Sequence, residues 1–83
     1  MKVTEKHLNL IRDMGAAFLT ARGYTFADIV TGRDAWSVLH QSGAYRAIGD
    51  DYVGGYPDYK DAHLQTALAH VMPNAVFKDA KVY

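Results

Sequence analysis

The 83-residue sequence contains no cysteine. That absence excludes a disulfide framework, a thiol nucleophile and a thiolate zinc cluster, and it permits a reducing compartment. Excess charge is missing too, because nine basic and nine acidic residues cancel to a formal net charge of zero. Without the long-range attraction that drives non-specific nucleic-acid binding, a nucleic-acid partner ranks low. The opening Met1-Lys2-Val3-Thr4-Glu5-Lys6-His7 has no apolar run of the signal-peptide kind, and no later stretch reaches the roughly 20 apolar residues of a membrane helix. The expectation is a soluble, cytoplasmic chain that does not engage a membrane. Serine is limited to Ser37 and Ser42, and no internal repeat or low-complexity tract divides the chain.

What is present has the composition of a folded domain. Hydrophobic residues make up 49% and charged residues 22%, close to the average for globular domains and far from that of disordered chains. So short a chain builds one core, and residues 1–83 read as a single small globular domain. Such a domain buries about 60–65% of its unfolded surface. Its stability then falls at the low end of roughly 5–15 kcal/mol, where a partner or a second copy of the chain gives useful support.

Thr4 is a good N-cap, and Leu8, Ile11, Gly15 and Phe18, flanked by Leu10, Met14, Ala17 and Ala21, recur at helical spacing. The spacing predicts a helix over 5–22, ended by a left-handed Gly23, with Tyr24 folding back onto the last turn. Gly15 costs ~1 kcal/mol against alanine inside that helix, which points to another backbone packing close. Thr25 and Asp28, then Thr31 and Asp34, each place a hydroxyl three residues before a carboxylate, an arrangement that starts helices. Two short helices follow, the first reaching about Val30, the second carrying Ala35, Trp36, Val38 and Leu39 up to Ser42-Gly43. Residues 44–48 add one turn stopped by Gly49, and the glycines within 49–56 predict a loop. Pro57 opens a second long helix, over 57–72, with Asp58 and Asp61 near its positive end. Its core stripe is Leu64, Ala67, Leu68 and Val71, and Pro73 closes it. The tail, 74–83, reads as a short strand whose candidate partners are Lys2-Val3-Thr4 and Tyr52-Val53. The fold expected is mainly α: a small helical bundle of two long and two or three short helices, with room for a minor β pairing at the C-terminal tail.

Several constellations invite a chemical reading and fall short of it. His63 and His70 are seven apart on one helix, roughly 10 Å along its axis, too far to share a metal without a ligand at Ala67. Asp50-Asp51 beside Gly54-Gly55 lack the alternating ligands and closing glutamate of a calcium loop. Those glycines are also followed by Tyr56-Pro57 rather than the Lys-Ser/Thr of a phosphate loop. Asp34, Ser37 and His40 spread around one short helix, with no separate backbone to form an oxyanion hole. No catalytic residue, metal ligand or cofactor site is assigned, and an enzyme is not expected.

The least ordinary segment is 45–61, which holds four of the six tyrosines and half of the eight aspartates. Tyrosine gives large amphipathic contact area at low entropic cost, glycine gives backbone adaptability, and clustered Asp suits a basic surface. The same enrichment also arises when Tyr45 and one or two others plug the rim of a small core. The reading that follows is a non-enzymatic protein-binding module, an inhibitor or adaptor by analogy with the small accessory proteins of phage and mobile elements. Tyr45, Asp50, Asp51, Tyr52, Tyr56, Asp58 and Tyr59 would face a larger partner with a basic surface. The alternative is a small helix-turn-helix-like nucleic-acid regulator using 33–42, with Arg33, Gln41 and Ser42 toward bases. As a dimer it would pool Lys2, Lys6, Arg12 and Arg46. Against it, that segment has one basic residue, and Asp28 and Asp34 would repel phosphates.

Overall fold

The structure, a computed structural model, describes residues 4–51 and 62–77. Helix α1 is Glu5–Thr20. At its start the Thr4 hydroxyl accepts from the His7 N–H at 3.4 Å, and His7 Nδ1 accepts from the Thr4 N–H at 3.1 Å. This is a capping box with an imidazole where glutamate or glutamine usually stands, and the acceptor role puts the ring proton on Nε2. His7 is accordingly buried, 4% exposed. At the other end Gly23, φ 80°, donates to the Thr20 carbonyl at 3.1 Å, and Tyr24 donates to Leu19 at 2.9 Å. The paired bonds form the Schellman closure that the glycine predicts. The helix proper stops at Thr20, two residues short of the expected end, because 21–23 are spent on that closure.

The buried line of α1 is His7, Ile11, Gly15 and Leu19. Leu8, Met14 and Phe18 pack half-buried beside it, while Ala17 and Ala21 face solvent. The core stripe is therefore rotated from the one read in the sequence and takes in Leu19. Gly15 does mark a close approach, but of a ring and not a backbone: a Cβ there would lie 3.0 Å from the Phe26 ring.

Phe26–Asp28 forms one 3-10 turn. The Asp28 carboxylate accepts from the Thr25 N–H at 2.8 Å and from its hydroxyl at 3.2 Å. Helix α2, Gly32–Gln41, is capped by the Thr31 hydroxyl, which accepts from the Asp34 N–H at 3.0 Å, and it ends before Gly43 at φ 86°. Helix α3 is Ala44–Asp51 and runs through Gly49. The expected stop at Gly49 is thus overturned, along with the loop expected over 49–51. A glycine inside a helix costs only about 1 kcal/mol, and here Ala44 and Ile48 are wholly buried by the turns on which Gly49 also sits. Helix α4 is Ala62–Val71. The start expected at Pro57 lies outside the described residues.

Helix α1 packs on α2, α3 and α4, and α2 packs on α3 as well. Ile11, Leu19, Trp36, Leu39, Ile48, Leu64, Leu68 and Met72 fill the space between them, and the expected α4 stripe is buried in full. The protein is mainly helical, and among the described residues it has no sheet and no helix long and apolar enough to cross a membrane. Among the described residues the tail makes one parallel bridge, Thr31 to Val76. Val76 donates to the Val30 carbonyl at 3.1 Å, Gly32 donates to Val76 at 3.0 Å, and the Asn74 amide donates to Ala27 at 3.0 Å. The bridging partner of Val76 is the extended entry to α2, which was not among the segments expected; of those, 2–3 and 52–53 lie outside the described residues, as do 78–83 of the tail. Gly32 allows the approach, since a Cβ on it would lie 2.8 Å from the Phe77 ring.

Candidate functional site

Of the tyrosine- and aspartate-rich stretch, 45–51 form α3, whereas Tyr52, Tyr56, Asp58 and Tyr59 lie outside the described residues. Tyr45 is half-buried against the core, its ring 4.4 Å from that of His40 and tilted by 37°. Tyr45 thus works at the core rim, with its neighbour Arg46 and, further along α3, Asp50 exposed. Asp51 ends the helix.

The residues weighed for catalysis are not assembled. Ser37 Oγ accepts from the Gln41 amide at 2.6 Å, His40 lies against Tyr45, and the Asp34 backbone is held by the Thr31 cap. No hydrogen bond joins Asp34, Ser37 and His40 to one another. His63 and His70 are exposed on the wall of a groove of about 530 Å³ between α1 and α4, with Ala67 between them. Across the groove Arg12 pairs with Glu5 at 3.5 Å and donates to Asn9 at 3.3 Å. Among the described residues no three His, Cys, Asp or Glu side chains converge on a point that would hold a metal. On the segment considered for base reading, Arg33 and Gln41 are exposed, and the Ser42 hydroxyl donates to the Leu39 carbonyl at 3.3 Å.

A different surface emerges where α1 hands over to α2. Tyr24 is 56% exposed, and with Leu19 it forms the wall between two adjoining clefts. One, of about 200 Å³, is bounded by Ala16, Thr20, Thr25 and Phe26. The other, of about 310 Å³, has Phe18, Ile29 and Val38 inside and Arg22, Asp28, Asp34 and Ser37 around it. The Schellman closure fixes the backbone carrying Tyr24, and the Thr25–Asp28 bonds fix the segment after it. The sequence reading treats Tyr24 only as a cover for the helix end. Its backbone does fold back, but the residue stays more than half exposed. The available signal was the adjacency of an aromatic residue to a glycine stop, followed within ten residues by Asp28 and Asp34.

No family model, curated protein or solved structure matches this chain.

Proposed function

We propose that this chain is a non-enzymatic protein-binding module that acts as an inhibitor or adaptor toward a larger protein. The observation that carries this reading is Tyr24, exposed on a fixed helix terminus between two clefts whose floors are apolar side chains of the core. A tyrosine on a fixed backbone offers large contact area at the cost of ordering only two side-chain torsions, and an adjacent concavity accepts a partner's side chain. The tyrosines and aspartates of 45–61 form the second part of the proposed surface, argued from composition.

The test is affinity capture from lysate with mass-spectrometric readout. The baits are wild type, Tyr24→Ala, and Tyr52→Ala/Tyr56→Ala, each first shown to keep its helical circular dichroism. The expected result is a protein retained by wild type and lost from at least one variant. A wild-type profile indistinguishable from that of an unrelated bait of equal size, or one that neither variant alters, would overturn the reading.

A further inference from the structure

The larger cleft beside Tyr24 has a defined chemical character. Its interior is apolar, formed by Phe18, Leu19, Ile29 and Val38, and two carboxylates, Asp28 and Asp34, stand at its edge. Both aspartates are exposed. Asp34 contributes its backbone N–H to the cap of α2, and its carboxylate makes no hydrogen bond or ion pair among the described residues. Asp28 uses a single oxygen, Oδ2, for both bonds to Thr25.

The cation lining this cleft is already committed elsewhere. The Arg22 guanidinium, just past the end of α1, stacks 3.7 Å from the centroid of the Phe18 ring and donates to the Phe18 carbonyl at 3.0 Å. It forms no ion pair with Asp28 or Asp34. The Phe18 ring and carbonyl are neutral and leave Arg22 its positive charge, so the two carboxylates outnumber it by one and the edge keeps a net negative charge; the Phe18 ring shows that the aromatic face here tolerates a guanidinium. An acidic segment would meet two carboxylates against a single guanidinium and a purely apolar one would leave the carboxylates without a charged partner, whereas a basic segment satisfies both the interior and the edge.

We propose that the cleft between the end of α1 and the start of α2 docks a basic segment of the partner protein, an apolar side chain entering beside Tyr24 while a flanking Lys or Arg meets Asp28 and Asp34. This rests on the binding-module reading and names the partner's chemistry. Tyr24 and Leu19 line both clefts, so an extended segment crossing Tyr24 would place its next apolar side chain in the smaller one.

The test uses a fluorescently labelled peptide of alternating Lys and Leu, with a Glu and Leu peptide of equal length as control. Anisotropy measures affinity and amide chemical-shift mapping measures location. The Lys peptide should bind with Kd below about 1 mM and shift the amides of Tyr24, Asp28, Asp34 and Ser37. Binding should weaken roughly fivefold to tenfold in Asp28→Asn/Asp34→Asn, which keeps a carbonyl oxygen for Thr25 and leaves the Thr31 cap intact. It should also weaken as ionic strength rises from about 0.05 M to about 0.5 M. Equal binding of the two peptides, shifts confined to other surfaces, or no binding by the Lys peptide would each overturn the proposal. So would a wild-type dimer in sedimentation that Tyr24→Ala dissociates, since the cleft's occupant would then be a second copy. Specific lysate capture that persists in Asp28→Asn/Asp34→Asn defeats the basic-segment proposal alone. Absence of any specific capture defeats the module reading beneath it.

Discussion

Gly23 isolates a purely local energy. At φ 80° it occupies the left-handed region, and nothing stands within 4 Å of where a Cβ would be. Gly23→Ala therefore meets no steric neighbour and bears only the backbone cost, about 1–2 kcal/mol. Chemical denaturation should show the midpoint lowered with an unchanged slope, and an unaltered midpoint would contradict the Schellman closure. Gly43, φ 86°, differs because a Cβ there would also press on the Met14 methyl at 3.2 Å. The left-handed role of Gly23 was legible in the sequence because a stop glycine after a periodic apolar run has a local cause. The role of His7 was not. Its spacing from Thr4 matches a capping box, but the residue type does not, and only the 3.1 Å contact from the Thr4 N–H to Nδ1 reveals that imidazole serves as the acceptor.

At the scale of elements, the tail and the entry to α2 depend on each other. The Val76 N–H donates to Val30, and the Val76 carbonyl receives the Gly32 N–H that heads α2. Val76→Pro removes the first donor. The expected result is loss of about 1 kcal/mol and faster hydrogen exchange at the Gly32 amide, with the helical dichroism of α1 and α4 retained. Unchanged exchange at Gly32 would show that the bridge does not hold the tail. This pairing was illegible because strand partners far apart in sequence are chosen by the path of the chain, and the short 29–31 segment before α2 has no alternating pattern of its own. The same limit explains α3. Propensity places a stop at Gly49, but packing of Ile48 carries the helix on to Asp51.

At the scale of the molecule, the four helices of the described residues share one core around Trp36, which is 1% exposed. Leu68 is wholly buried where α4 meets that core, so Leu68→Ala should cost about 2–5 kcal/mol. In a domain at the low end of the roughly 5–15 kcal/mol range that is a large share of the total. The single tryptophan should report it as red-shifted emission coinciding with loss of helical dichroism, and a fluorescence change without that loss would indicate local rearrangement instead. The sequence by itself determined the helical class, the caps at Thr4, Thr31 and Gly23, and the apolar stripe of α4. Each of these follows from residues within a few positions of one another. The tertiary structure alone decided the rotation of the α1 stripe toward Leu19, the ring against Gly15, the bridge at Thr31, and the exposure of Tyr24 between two clefts. These depend on which surfaces meet, and burial of the shared core outweighs the roughly 1 kcal/mol local preferences that sequence patterns express.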